Sequence, residues 1–171
     1  PTAALLTGPP AAGKVSDSCS NLSQAYRLTR AVLRQAPHSA CAQTSLLNQV
    51  IVHMLNRADT ELVPILVKVQ LLQARLLDEP DAFGTAWNWI DAFLRFEHSE
   101  PTYLMLRQAM ASRRALLLLD GLDEGGKKRE QIERHVTEVL APQGHVLLAT
   151  SRPDGIDDQG YAAFRRLELK P

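Results

Sequence analysis

Two uninterrupted apolar runs constrain the fold of this chain more than any other feature. They lie in "RALLLLD" (residues 114–120) and "GHVLLATSR" (144–152), and neither run alternates between polar and apolar residues. A strand that is solvated on one face shows that alternation, so these two runs predict strands that are buried on both faces. Such strands are typical of parallel sheets that carry helices on either side.

Weaker patterns complete an alternation of strands and helices. Further strands are predicted at 2–8, 61–72 and 164–170, and helices at 44–58, 85–96, 102–112 and 126–140. Pro64 should lie at the start of its strand or on a sheet edge, because proline cannot donate to a sheet hydrogen bond. We expect Trp87, Trp89 and Phe93 to lie in the core. His145 should be structural, at the edge of the sheet opposite the carboxyl ends of the strands. The sequence thus predicts an α/β fold with helices on both faces of a parallel sheet.

Composition narrows the functional classes. The 171 residues are 45% hydrophobic and 22% charged, which suits one globular domain. The formal net charge is zero, so neither a nucleic-acid face nor an anionic membrane surface is indicated. No apolar run approaches the roughly 18 residues of a membrane helix. Two cysteines make no disulfide framework, and a cytoplasmic setting is expected. The start at Pro1 suggests a fragment of a longer protein.

Polar motifs follow three of the predicted strands. "GPPAAGK" comes after the first strand, "DGLDE" begins at the end of the third, and "TSRPDG" ends the fourth. Ligands of open parallel sheets bind at the carboxyl ends of the strands. We therefore expect the three motifs to converge on one edge of the sheet.

The first motif has the spacing of a phosphate-binding loop, Gly-x-x-x-x-Gly-Lys. The loop consists of Gly8, Pro9, Pro10, Ala11, Ala12, Gly13 and Lys14. Gly8 and Gly13 allow the backbone angles that turn N–H groups toward phosphate oxygens. Lys14 would reach the β- and γ-phosphates as a positive charge. The alternative is a Pro/Gly turn that carries a surface lysine.

The other two motifs supply acidic and basic groups. Asp120 would hold Mg²⁺, directly or through water, because Mg²⁺ prefers hard oxygen ligands. Asp123 and Glu124 could orient an attacking water and accept its proton. Arg152 could sense the γ-phosphate or stabilise charge on it. The alternatives are a solvated acidic turn for "DGLDE" and a surface ion pair for Arg152.

Val15 stands where a phosphate loop needs Ser or Thr. Without residues 15–43 the sequence reads "GPPAAGK-TSLLNQVIVHML", in which Thr44 is the missing Mg²⁺ ligand and Ser45 adjoins it in the nucleotide site. We therefore predict that 15–43 is an insertion that splits the motif. A retained intron is one source of the segment. Introns usually begin with GT and end with AG. Val codons, as at Val15, begin GT, and one Gln codon, as at Gln43, is CAG. A genuine protein insertion, or a tolerated Val15 with Ser16 as substitute, are the alternatives.

Together, "GPPAAGK", "ALLLLDGLDE" and "VLLATSRP" resemble the NACHT NTPase domain of the STAND class of signalling ATPases. "TSRP" resembles the sensor 1 of that family, and "VPILVKVQLL" resembles its second strand. The resemblance implies a P-loop NTPase three-layer sandwich with a parallel five-stranded sheet in the order 5-1-4-3-2. It also implies ATP or GTP with Mg²⁺, slow hydrolysis, and a switch that drives self-association and contacts with other signalling proteins through regions outside this fragment.

Two other functions stay open at this point. One is a catalytically impaired NACHT-like scaffold for protein interactions, because the phosphate loop is split after Lys14. The other is an unrelated P-loop ATPase. The shortened chain, in which 15–43 are removed so that Lys14 precedes Thr44, is expected to bind ATP clearly. The whole chain is expected to bind it weakly or not at all.

Overall fold

A six-stranded sheet organises the computed structural model, which describes residues 3–7, 14–15, 42–56, 61–152 and 160–170. The strands are β1 Ala3–Thr7, β2 Lys14–Val15, β3 Val63–Lys68, β4 Ala115–Asp120, β5 Val146–Ser151 and β6 Arg165–Lys170. They lie in the order β2-β6-β1-β5-β4-β3.

Five of the strands are parallel, which confirms the predicted parallel α/β sheet. If these five strands are numbered 1 to 5 in chain order, with β2 left out, their spatial order is 5-1-4-3-2 from the β6 edge. The same order is 2-3-4-1-5 when it is followed from the β3 edge. The sheet differs from the five-stranded prediction by β2, a two-residue strand that pairs antiparallel to β6. Pro64 is the second residue of β3, which is an edge strand, as expected from its missing N–H.

Helices cover both faces of the sheet. They are α1 Ala42–Leu55, α2 Val69–Asp78, α3 Pro80–Gly84, α4 Trp89–Glu97, α5 Glu100–Ala111 and α6 Arg129–His135. Short 3₁₀ turns at Leu122–Glu124 and Gly126–Lys128 follow β4, and a π turn at Val136–Leu140 continues α6. None of the described helices is long and apolar enough to span a bilayer.

The core consists of two apolar layers, one on each face. Leu116 and Leu118 of β4 pack in the layer that α1 covers with Leu47 and Val50. Leu117 of β4 points to the opposite layer, which holds the buried side chains of α2, α4, α5 and α6. All six residues of β4 are buried, so the absence of polar alternation in "ALLLLD" reflects burial on both faces.

Two segments fold differently from the prediction. The run 61–72 is not one strand, because β3 ends at Lys68 and α2 begins at Val69. The buried residues Val69, Leu72 and Leu76 have helical spacing. The sequence pattern does not reveal this helix clearly, because the residues before it are rich in β-branched side chains. The helix predicted from 85 begins only at Trp89, where the Asn88 side chain accepts a hydrogen bond from the Asp91 N–H.

The three aromatic residues that were expected in the core have different environments. Phe93 is buried, as predicted. Trp89 is only half-buried, and its ring stacks on His135 with 4.4 Å between centroids. Trp87 precedes the helical cap and is 41% exposed, so its assignment to the core was wrong.

Two histidines, the half-buried His135 and the buried His145, are held neutral by their surroundings. Burial lowers the pKa of His135 to about 4, and its Nε2 accepts a hydrogen bond from the Trp89 N–H at 3.1 Å. Burial, followed by the nearby charge of Arg113, lowers the pKa of His145 to about 4. His145 immediately precedes β5 and therefore lies at the amino edge of the sheet, where the sequence predicted it.

These shifts predict that acid destabilises the fold. Below about pH 6.5 the unfolded chain binds protons at both histidines, whereas the folded chain resists protonation down to about pH 4. Stability should therefore fall between these pH values, by about 1 kcal/mol or more for each histidine at pH 5. Urea unfolding at pH 7.5 and pH 5 checks this. His135→Gln and His145→Gln should flatten the dependence, and His98→Gln, an exposed control, should leave it unchanged.

Candidate functional site at the carboxyl edge of the sheet

The carboxyl ends of three adjacent strands bring the sequence motifs to one edge. β1 lies beside β5, with Thr7 level with Ser151, and β5 lies beside β4, with Ala149 level with Leu119. Asp120 therefore lies at the level of Thr150. Residue 8 follows Thr7 directly, so all three motifs begin at neighbouring strand ends on the same edge, as the sequence predicts.

A short hydrogen-bond chain holds the carboxylate at the end of β4. The Thr150 hydroxyl donates to Asp120 Oδ1 at 3.0 Å and accepts from the Gly121 N–H at 2.9 Å. Thr150 is fully buried and Asp120 is 9% exposed. One hydroxyl therefore fixes both the carboxylate and the first backbone group of the loop that follows β4.

Gly121 allows the chain to turn sharply after Asp120. Its φ is +75°, a left-handed conformation that strains any residue with a Cβ. A Cβ at this position would also lie 3.0 Å from Glu124 Cδ and 3.1 Å from Oε2. The exposed Glu124 thus folds its carboxylate back over the Gly121 backbone, within one turn of Asp120.

Arg152 is bound to Asp123 in this structure. Its backbone N–H donates to Asp123 Oδ1 at 3.1 Å, and its Nε lies 3.3 Å from Oδ2. The Asp123 side chain is 13% exposed, whereas that of Arg152 is 63% exposed. The pair ties the turn after β4 to the end of β5, and both oxygens of Asp123 already have donors.

The phosphate-loop candidates are only partly described. Gly8, Pro9, Pro10, Ala11, Ala12 and Gly13 lie outside the described residues. Lys14 lies in β2 opposite Lys170, two strands from β1, or about 10 Å across the sheet. Thr44 and Ser45 are the third and fourth residues of α1, whose first two positions are Ala42 and Gln43. Lys14 and Thr44 thus belong to different elements.

Thr150 is a site residue that the sequence interpretation did not include among its candidates. The sequence did contain a signal for Thr150, because this residue stands near the end of an apolar run. The register of β5 against β4 places that position beside Asp120. Motif spacing identifies charged residues more readily than a single hydroxyl. The role of Thr150 becomes apparent only from its two hydrogen bonds.

The side chains at this edge offer oxygen ligands of the kind Mg²⁺ prefers. Within the described ranges, no three His, Cys, Asp or Glu side chains are grouped closely enough to hold a metal ion by themselves. Mg²⁺ at nucleotide sites commonly uses one or two protein oxygens together with phosphate oxygens and water. Asp120, buried and oriented by Thr150, is a suitable single carboxylate for such a site.

Replacing Thr150 by valine should destabilise the fold. The variant keeps the shape of the side chain but leaves the buried Gly121 N–H and Asp120 Oδ1 without this partner. We expect a loss of about 1–3 kcal/mol in the free energy of unfolding, measured by urea denaturation. Thr150→Ser retains the hydroxyl and is the matched control, with a smaller loss. Equal losses in the two variants would mean that packing of the methyl group, rather than the hydrogen bonds, stabilises this edge.

Neither a protein-family model nor a curated protein matches the chain.

Proposed function

We propose that the chain is a NACHT-type nucleotide-binding domain, in which Mg²⁺-dependent binding and slow hydrolysis of ATP, or of GTP, act as a cytoplasmic signalling switch that controls self-association. The observation that carries this proposal is the convergence at one sheet edge of three motifs with the spacing of a P-loop NTPase. A buried aspartate ends β4, and only β5 separates β4 from β1, the strand that leads into Gly-x-x-x-x-Gly-Lys. Such chemistry needs a carboxylate and a phosphate loop at the same edge of the sheet.

The contacts at the edge suggest a role for each side chain. Asp120 would hold Mg²⁺, which neutralises charge on the β- and γ-phosphates when it is bound. Thr150 orients Asp120 through the hydroxyl that also binds Gly121. Glu124 is exposed and its carboxylate lies over Gly121, the residue after Asp120, so it is the better candidate for orienting the attacking water.

The ion pair changes the roles proposed for the remaining candidates. Because Asp123 receives the backbone N–H and the Nε of Arg152, we assign it chiefly to positioning the turn. The Nη groups of Arg152 are the donors left for a γ-phosphate. Lys14, with Gly8 to Gly13, would bind phosphate, and Thr44 would add a second oxygen to Mg²⁺.

A second function is favoured by one observation. Lys14 pairs with β6 in an edge strand, while α1 begins with Ala42 and Gln43. In this arrangement the helix N-terminus lacks the Gly-Lys that binds phosphate in P-loop proteins. The whole chain would then be a NACHT-like scaffold with impaired nucleotide binding, and only the shortened chain would be a competent switch.

Removing the negative charge of Asp120 tests the proposal. Asp120→Asn in the shortened chain keeps an oxygen for the Thr150 hydroxyl but removes the negative charge. We expect affinity for Mg²⁺–ATP to fall about tenfold, with little change in affinity for ATP in EDTA, measured by calorimetry. Asp78→Asn, an exposed change at the end of α2, is the control. Equal losses with and without Mg²⁺ would contradict a metal role for Asp120.

A further inference from the structure

A cavity lies in the helical layer formed by α3, α4 and α5. Its volume is about 530 Å³, within the usual range for small-molecule sites. Its larger lining side chains are Trp87, Asp91, Arg95, Phe96, Tyr103 and Arg107, and all of them belong to one continuous, fully described part of the chain. None of these residues takes part in the site at the carboxyl edge.

Exposed aromatic rings form part of the wall and are held in place by neighbours. Trp87 is 41% exposed and meets the buried His145 ring edge-on, with centroids 6.2 Å apart. Phe96 is 37% exposed and stacks on Phe83 at 6.1 Å, with the Arg75 guanidinium 5.8 Å from its centroid. The cavity therefore presents two aromatic surfaces whose packing limits their freedom before any ligand arrives.

The acidic group of the cavity is already satisfied. Asp91 is 6% exposed, and its Oδ1 accepts from the Tyr103 hydroxyl at 3.3 Å and lies 3.5 Å from Arg107 Nε. Arg107 Nη1 also donates to the Tyr103 hydroxyl at 3.2 Å. A cationic ligand would have to compete with Arg107 for Asp91.

The basic group of the cavity is not satisfied in the same way. Arg95 lines the cavity, is exposed, and has no hydrogen-bond or ion-pair partner among the residues that the structure describes. With Asp91 offset by Arg107, Arg95 leaves the lining with one net positive charge. A guanidinium binds a carboxylate through two parallel hydrogen bonds, which sets the position of the ligand as well as its charge.

We propose that this cavity binds a small planar aromatic anion, such as an aromatic carboxylate. The ring lies against Trp87 and Phe96, and the anionic group pairs with Arg95. Because Trp87 contacts His145, which precedes β5, this end of the cavity faces the amino edge of the sheet, opposite the proposed nucleotide site. Binding here is thus independent of the nucleotide proposal, and either can fail without the other.

The test is an NMR titration of the whole chain with 2-naphthoate. The chain has two tryptophans, so its spectrum should contain two indole N–H signals, and Trp87→Phe assigns them. We expect the Trp87 signal to move with a saturable dependence on 2-naphthoate while the Trp89 signal moves less. Absence of saturable movement at Trp87, or equal movement at both indoles, would overturn the proposal.

A second experiment tests whether the charge of Arg95 and of the ligand contributes to binding, separately from the fit of the aromatic ring. Arg95→Gln should weaken 2-naphthoate binding about tenfold, and Arg134→Gln, an exposed arginine on α6, should leave it unchanged. The neutral 2-naphthalenemethanol and the cationic 2-naphthylmethylammonium should each bind the unaltered chain about tenfold more weakly than 2-naphthoate. Unchanged affinity in Arg95→Gln, or a preference for the cationic probe, would overturn the assignment to an anion.

Discussion

Joining Lys14 directly to Thr44 is expected to raise affinity for Mg²⁺–ATP about 100-fold above that of the whole chain. In the shortened chain, Gly13 and Lys14 take the first two positions of α1, which Ala42 and Gln43 occupy in the whole chain. The helix N-terminus then presents a lysine and a glycine-rich turn to the phosphates, together with its own N–H groups and dipole. Charge-assisted bonds of this kind amount to about 3 kcal/mol, which corresponds to that gain.

The fold should tolerate this change. It removes β2, a two-residue edge strand, because Val15 is deleted and Lys14 moves into α1, and it substitutes two residues in the first turn of α1. The packed residues of α1, Leu46, Leu47 and Val50, are retained. It also removes the 29 residues 15–43, and closing a loop of that length costs roughly 3 kcal/mol. We therefore expect urea unfolding of the shortened chain to show equal or greater stability.

A second deletion separates loop length from loop sequence. Removing 15–41 shortens the chain nearly as much but leaves Ala42 and Gln43 between Lys14 and Thr44. Calorimetric titration with Mg²⁺–ATP should detect the gain only in the shortened chain. A similar gain in both deletions would mean that the inserted segment acts by obstruction rather than by splitting the motif.

Glu124→Gln in the shortened chain should lower ATP turnover about 100-fold or more, with binding of Mg²⁺–ATP retained. The amide can no longer accept a proton from the attacking water, and general-base catalysis contributes factors of this size. Glu124 is exposed, and glutamine has nearly the same shape as glutamate, so the replacement keeps the side chain that lies over Gly121. Phosphate release at saturating ATP measures the loss, and calorimetry measures the retained binding.

Glu130→Gln is the matched control for this effect, because Glu130 is exposed on α6 and belongs to no proposed site. It should leave turnover unchanged. Asp123→Asn should lower turnover less than Glu124→Gln does, since Asp123 already binds the backbone N–H and the Nε of Arg152. A larger loss for Asp123→Asn would reverse the roles assigned to the two acids.

The central strands were predictable because burial on both faces leaves a plain signal. β4 and β5 contain the apolar runs, and each structural boundary lies within two residues of the predicted one. The boundary between β3 and α2 was not predictable in the same way, because "VPILVKVQLL" suits a strand throughout by residue type. There the chain leaves the sheet after Lys68, and tertiary packing of Val69 and Leu72 decides the helix.

The candidate site was predictable as a location but not as a set of contacts. Parallel topology brings the ends of β1, β4 and β5 together whatever their side chains, so motif positions suffice to predict the edge. Which side chains at this edge bind one another depends on their geometry in the folded chain. The bond from Thr150 to Asp120 and the clamp of Arg152 on Asp123 each join residues about 30 positions apart, and no spacing rule signals either of them.

The position of a bound metal tests the central claim most directly. Mn²⁺ can replace Mg²⁺ and broadens the NMR signals of nearby amides. In the shortened chain with ATP, the Gly121 and Arg152 amides at the carboxyl edge should broaden first, and that of Gly144, at the opposite edge, should stay sharp. Broadening that needs ATP and is lost in Asp120→Asn is the predicted result. Broadening centred elsewhere, or unaffected by Asp120→Asn, would contradict a nucleotide site at this edge.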